Sequence, residues 1–527
     1  MPFFSLFYRG LTDGVEALED SPAYVFLDRS FYTDEKKACL IVETFGENRL
    51  RGQLNIRLLD AGQKEIEGKT VCLAAARAKV PLDIAALPPG DYFVETALDS
   101  GETNISTKLP LKKMDADNDV KLDRENRCLL VDGRSFIPMA FGMENIAAVR
   151  AENKSAWRDI AGHGFNTVCF IVRPSDSVSN IVCALDNMRE NGLKAIFWLG
   201  PDDGATLAEI KAFCQKNVLR FRDHPALLAW YFLDEPDPIK WETNGKSEKD
   251  ISFLYAVIKN ADPRHPVFFN HGPERWAIGY GSYGGAGATD IFSRDEYPIG
   301  DYALKRNLEV SSVLAPWAFE IDKMTYDGLR SGKPVNNWLH LTQTPAWAPY
   351  YPREVTAMES RCQTYLALIH GTASLLYFIE KPMSVELWDS FIPLNREVSA
   401  LAPVLTGGEE LPEQAVRASD KNIHLLAKKY DGKIYIICAN ISESPVKVAF
   451  KLNSDLFKPE GMVEILFGQK NLKCYDYFVK DEFSGLEAKV YRLRDYHGFF
   501  RAVQDLMRKA CDKVTPFFEK GREDHEF

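Results

Sequence analysis

Three textures of hydrophobic and polar positions follow one another along the chain. From about 20 to 115, short alternating stretches (KKACLIVETF, GQLNIRLLD, LPPGDYFVETALD) are broken by turn residues. A side-chain period of two between frequent turns predicts an all-β sandwich. From about 128 to 400, runs that are apolar nearly throughout alternate with helix-like segments. The runs are FIPMAFG (136–142), FNTVCFIV (165–172), LKAIFWL (193–199), LLAWYFL (227–233), PVFFN (266–270), TDIFSRD (289–295), PVNNWLHL (334–341) and SLLYFI (374–379). A strand without alternation is buried on both faces, as in a parallel sheet under helices. Eight β-then-α units in about 270 residues match the size of a (β/α)8 TIM barrel, although spacing alone separates it only slightly from an open doubly wound sheet. From about 420 to 495 alternation returns (IHLLAKKY, GKIYIICAN, PVKVAFKL, EAKVYRL).

The expected organisation is a multidomain α/β plus all-β chain. An N-terminal β-sandwich covers 1–120, and a charged linker, MDADNDVKLDREN, leads into a barrel over 125–405. A C-terminal β-sandwich covers 410–495, and a helical tail over 496–527 is expected to pack or dock.

Composition narrows the function classes. A net charge of −11 argues against nucleic acid or an anionic membrane as partner, because phosphate binding needs clustered Lys and Arg. A neutral, polar substrate remains open. No run reaches the ~18 apolar residues of a membrane span. The start, MPFFSLFYRG, lacks a basic region and a cleavage site, so a cytoplasmic location is expected for a complete chain, and a periplasmic or secreted one if a leader was removed. The ten cysteines are dispersed, several in apolar runs, and read as buried reduced thiols. No metal or cofactor is expected: the histidines show no H-x-x-x-H spacing and no Gly-rich phosphate loop follows the first barrel strand. The Gly-rich run GYGSYGGAGATD precedes the sixth strand without a Lys and reads as a lid or turn. All nine tryptophans lie in the middle region, which favours a site with aromatic platforms for apolar sugar faces.

Reactive side chains of a (β/α)8 barrel sit at the C-terminal ends of its strands. In order, the predicted strands end in Glu144 and Asn145; Arg173 and Asp176; Asp202 and Asp203; Asp234 and Glu235; Asn270 and His271; Asp295, Glu296 and Tyr297; His340 and Gln343; and Glu380 and Lys381. A ring of acids with few cations suits protonation of a leaving oxygen and stabilisation of an oxocarbenium ion.

The segment RDHPALLAWYFLDEPD resembles the fourth-strand signature of clan-A-like glycoside hydrolase barrels. VDGRSFIPMAFG, GFNTV, DEYP, GKPVNNWLHL and YLALIHGTASLLYF fit the same pattern, so the resemblance covers roughly 130–400. It implies a glycosidase with Glu235 as general acid and Asp234 as its neighbour. Glu235 is then expected to be a protonated carboxyl, its pKa raised by burial and by Asp234. Two departures stand out: the usual pair is Asn-Glu, and the seventh strand ends in WLHLTQT, with Gln343 where a nucleophilic Glu is usual. Three readings follow. The partner carboxylate comes from another strand, Asp295 first, with Glu296 and Glu380 behind it. Alternatively the substrate supplies the nucleophile, because an Asp-Glu pair is similar to that of β-N-acetylhexosaminidases. Or the barrel binds carbohydrate without cutting it. Further candidate substrate contacts are Glu144, Arg173, His271, Tyr297, His340 and Gln343, with Trp198, Trp317 and Trp347 as stacking platforms. His163, His224 and His265 read as structural.

Overall fold

The structure, a computed structural model, describes residues 23–44, 52–73, 77–99, 104–117, 120–143, 154–202, 204–236, 248–272, 288–341, 351–468 and 470–494. The expected tail helix lies outside the described residues. The chain divides into two units, Met1–Ala402 and Pro403–Phe527.

The first unit opens with two antiparallel sheets. One holds Ala23–Leu27, Lys37–Thr44 and Arg77–Asp83; the other holds Gly52–Leu59, Glu65–Leu73, Gly90–Asp99 and Asn104–Lys113. The alternation seen in the sequence sorts their side chains, so that Leu54, Ile56, Leu58 and Val94 meet Leu40, Val42, Val80 and Leu82 in one core.

The stretch read as a charged linker is built structure, a correction to the sequence reading. Val120–Asp123, Cys128–Val131 and Arg134–Phe136 form a three-stranded sheet. Its charges are paired: Lys121 Nζ lies 2.7 Å from Glu35 and Asp123 lies 2.6 Å from Arg29. The alternate residues Val120, Leu122 and Leu129 enter the apolar cluster of the barrel interior. A short Val-Lys-Leu-Asp run looks solvated in sequence because its ion-pair partners lie in the preceding domain.

Eight parallel strands then close into a barrel in chain order. They are β1 (Met139–Met143), β2 (Thr167–Val172), β3 (Lys194–Leu199), β4 (Leu227–Asp234), β5 (Val267–His271), β6 (Phe292–Asp295), β7 (Val335–His340) and β8 (Ser374–Phe378). The described helices between and after them are α1 (Lys154–Gly162), α2 (Val178–Glu190), α3 (Leu207–Phe221), α4 (Glu248–Ala261), α5 (Val310–Ser331), α6 (Ala357–Ile369) and α7 (Val385–Gly407). Strand β4 shows why the barrel strands lack alternation. Tyr231 joins the interior cluster, while Trp230 and Phe232 pack against Phe197 and Phe269. The Trp230 indole also donates to Asp262 at 2.8 Å, so its polar edge is satisfied.

The second unit is one antiparallel sheet of nine strands, the last being Ala488–Arg494. Three strands separate Ala488–Arg494 from Val446–Leu452 in sheet order, yet Tyr491 and Phe450 from these two strands bring their ring centroids within 5.4 Å. The sheet therefore folds over on itself around a single core, giving the second β-rich domain that the alternation predicts.

Among the described residues no helix is long and apolar enough to cross a membrane. The described cysteines are free thiols, with Cys128, Cys169, Cys214, Cys362, Cys438 and Cys474 buried.

Candidate active site

The C-terminal end of β4 is irregular in a way that aims its acids. Register with β5 slips between Tyr231 and Asp234, and Asp234 then pairs with Asn270. Glu235 follows with φ +40°, a left-handed conformation that a non-glycine residue adopts at a cost of roughly 1–3 kcal/mol. Its N–H donates to the Asn270 carbonyl at 2.9 Å. Gly272 backs its side chain: a Cβ there would come within 3.1 Å of the Glu235 carboxyl carbon. The Asp-Glu-Pro turn thus leaves the sheet under two constraints from β5 and the residue after it.

Strand β6 delivers the second acid by simple alternation. Arg294 points away from the interior, with Glu296 at 2.8 Å and Glu320 of α5 at 3.8 Å. Asp295, the next residue, points inward and is buried. Its carboxyl faces the acids at the end of β4, Glu235 and Asp234. Burial, and then the charges of Glu235 and Asp234, hold the Asp295 pKa well above the ordinary carboxylate range. The protonated form is therefore favoured on Asp295.

Asp234 is held differently. The Tyr231 hydroxyl donates to its Oδ1 at 2.5 Å, and Asn270 Nδ2 approaches the same oxygen at 3.4 Å. Donors to the charged form favour the anion. An anionic Asp234 thus lies beside Asp295, where the protonated form is favoured. Below the acids lies an aromatic collar. The Trp198 and Tyr231 rings are 4.5 Å apart, Tyr231 stacks on Phe268 at 5.0 Å, and Trp338 stands 6.0 Å from Tyr231.

The other candidates separate into those near the mouth and those turned from it. Tyr297 is buried and stacked on Phe378 at 5.2 Å. Burial and the Asp295 charge push its phenol well up, so it stays a neutral donor beside the acids. His340 is fully buried, its ring 4.4 Å from Tyr351. Burial and the Arg294 charge push His271 down to about 3, so its imidazole is neutral. Arg173 is exposed after β2, where its N–H donates to Asp176 at 2.7 Å. Glu380 follows β8 at φ +72°, tied by its N–H to the Gly142 carbonyl at 2.8 Å. Two expectations need correcting. Trp317 lies inside α5 and is buried, so it offers no stacking face, and Glu296 faces Arg294, not a sugar. Glu144, Gln343 and Trp347 lie outside the described residues.

The sequence reading did not select Tyr231, Ser293 and Asn336, and it noted Asn270 only as a strand end. Each is a polar group buried within a barrel strand. That is the available signal, because such a group is buried only where it is hydrogen-bonded.

No known protein family is matched by the sequence, and no curated protein matches it. Solved structures do resemble the fold. A Bacteroides vulgatus protein, provisionally assigned as a glycoside hydrolase, aligns over 88% of this chain and 99% of its own at 13% identity and a TM-score of 0.49. An α-amylase from Geobacillus thermoleovorans, complexed with acarbose, aligns over 67% of this chain and 92% of its own at 11% identity and a TM-score of 0.47. A β-glucuronidase from Ruminococcus gnavus, complexed with D-glucuronic acid, aligns over 71% of this chain and 67% of its own at 13% identity and a TM-score of 0.39.

Proposed function

We propose that the chain hydrolyses O-glycosidic bonds of a carbohydrate, with Glu235 as general acid/base and Asp295 as its partner carboxylate. The observation that carries this reading is the meeting of three acids at the strand ends, a buried Asp295 facing Glu235, with Asp234 beside them accepting from Tyr231. In this reading the proton on Asp295 passes through Glu235 to the glycosidic oxygen as the bond from that oxygen to the anomeric carbon breaks. The carboxylates left behind, Asp295 and Asp234, face the developing oxocarbenium ion. Water then adds to the anomeric carbon and returns a proton to Glu235.

A second reading is favoured by the Tyr231–Asp234 bond. A fixed anion next to the acid also suits orienting a 2-acetamido group, which would then attack the anomeric carbon itself. Aryl glycosides with and without a 2-acetamido group, together with oligosaccharides, test both. Glu235→Gln abolishes turnover in either reading while binding persists. Asp295→Asn abolishes it in the first and spares 2-acetamido substrates in the second. Turnover by Glu235→Gln at the wild-type rate sinks the assignment.

A further inference from the structure

The interior faces of four adjacent strands carry a line of polar side chains that the catalytic reading leaves unused. Asn336 on β7 donates from Nδ2 to Ser293 Oγ on β6 at 2.7 Å. Ser293 donates from Oγ to Asn270 Oδ1 on β5 at 2.8 Å. Asn270 Nδ2 in turn faces Asp234 Oδ1 on β4 at 3.4 Å. Asn270, Ser293 and Asn336 are each at most 1% exposed, so the line is shielded from water up to its end at Asp234, which is exposed.

We propose that Asn270 is a positioning residue that fixes both members of the strand-end pair, Asp234 as the anion and Glu235 as the side chain turned into the mouth, with Ser293 and Asn336 setting the direction of its amide. The inference rests on the glycosidase reading for its purpose but not for its geometry.

The direction of the chain follows from proton counting. A serine hydroxyl has one proton to give. Because Ser293 Oγ accepts from the Asn336 amide, its own proton is turned toward Asn270, and only the carbonyl end of the Asn270 amide can receive it. The NH2 end must then face Asp234. With the amide reversed, a carbonyl oxygen would meet a carboxylate and the serine would meet a second donor, and both contacts would be repulsive. All of the side-chain donors along the line therefore point toward Asp234. The main chain of the same residue adds the second constraint, since the Asn270 carbonyl accepts the N–H of Glu235 at 2.9 Å, where the backbone is left-handed.

The chemical consequence is an assignment of charge. Three carboxyls come together at the strand ends, Asp295 buried, Glu235 half-buried and Asp234 exposed, and like charges there disfavour full ionisation. The other titratable groups near them are Cys169 on β2, Tyr231 on β4 itself, and Tyr297 and Tyr351 beyond the strand ends, and burial holds each of them neutral. With donors aimed at Asp234, the proton of the cluster stays on Asp295, beside Glu235.

The test is an infrared titration of the protonated carboxyl bands of the intact protein, assigned with Asp234→Asn and Asp295→Asn. It is run beside kinetics on whichever aryl glycoside the wild type cleaves. Ser293→Ala touches none of the three carboxyls. It is expected to raise the pH at which Asp234 takes up its proton by about one unit and to lower kcat about tenfold or more with KM held. Ser293→Thr, which keeps the hydroxyl, restores both. Asn336→Ala breaks the same line from its far end and serves if Ser293→Ala does not fold. A folded Ser293→Ala or Asn336→Ala variant in which Asp234 titrates as in wild type overturns the proposal. A shifted titration in a protein that cleaves no glycoside upholds the positioning role and overturns the glycosidase reading. An unshifted titration with turnover that depends on Glu235 does the reverse.

Discussion

The two ends of the barrel interior are made by the same eight strands and carry opposite kinds of side chain. At the N-terminal end Ala140, Ile196, Leu228, Ile291 and Leu376 close on Val120, Leu122 and Leu129 of the small sheet that precedes the barrel. Toward the C-terminal end stand Asp234, Asn270 and Asp295, with Glu235 turned in above them, and Ser293 and Asn336 carry the polar line back toward the starts of β6 and β7. The aromatic collar of Trp198, Tyr231, Phe268 and Trp338 lies between the acids and the apolar end. A buried polar group without a partner costs a few kcal/mol. The polar line meets part of that cost through hydrogen bonds from strand to strand. The apolar cluster at the other end gains its stability from area removed from water. One barrel thus separates a stabilising end from a reactive one along each strand, and substitutions at the two ends should be felt in different measurements.

The largest effect tests the reactive end. Glu235→Gln is expected to lower kcat by about a thousandfold, roughly 4 kcal/mol of barrel-mouth chemistry, with no change in melting temperature. A loss of stability comparable to the loss of rate would erase the contrast between the ends. Next is the base of the same strand. Leu228→Ala removes a fully buried side chain and should cost about 2–5 kcal/mol in denaturant unfolding, while kcat/KM of the folded protein stays at its wild-type value.

A smaller effect, and one dependent on pH, belongs to Asp295. Its carboxyl keeps a proton in the folded protein at pH values where the unfolded chain has released it. Stability is therefore highest below the ordinary carboxylate range and falls as pH rises from there through the folded value. Asp295→Asn removes that dependence. The variant should melt above wild type by a margin that widens with pH across this window, on the order of 1–2 kcal/mol, even as its activity is lost. A margin that stays constant with pH would mean that Asp295 is not protonated in the native state. Smallest is Trp198→Ala, which takes a half-buried ring from the collar. A rise in KM of about tenfold with kcat nearly kept would mark the ring as a sugar platform. Unchanged KM with lowered stability would return it to the core.

How much of this was legible in the sequence differs between the strands and their ends. The barrel strands could be read because burial on both faces removes the alternation of apolar and polar positions, as in LLAWYFL, and the inward and outward roles of Tyr231 and Trp230 did not need to be known. Glu235 and Asp295 could be singled out because an acid ending a buried strand has few structural uses. Glu296 departs from the sequence expectation because proximity to a strand end does not say which way a side chain points, and Trp317 because it lies inside α5, away from any strand end. One residue of alternation turned Arg294 outward, and Glu296 went with it as its ion-pair partner. The Val120–Asp123 strand was missed because its charges are neutralised by Glu35 and Arg29, more than eighty residues upstream.

The sequence by itself determined the order of the domains, the eight-strand barrel and the acids at its strand ends, because hydrophobic period and burial are local properties of a chain. Tertiary structure alone decided which carboxyls meet and that Asp295 among them is pushed toward its protonated form. Those outcomes depend on the pairing of the barrel strands, which sets β4 beside β5 and links it, through Ser293 and Asn336, to β6 and β7. Charge and hydrogen bonding act through space, and no spacing along the chain records them.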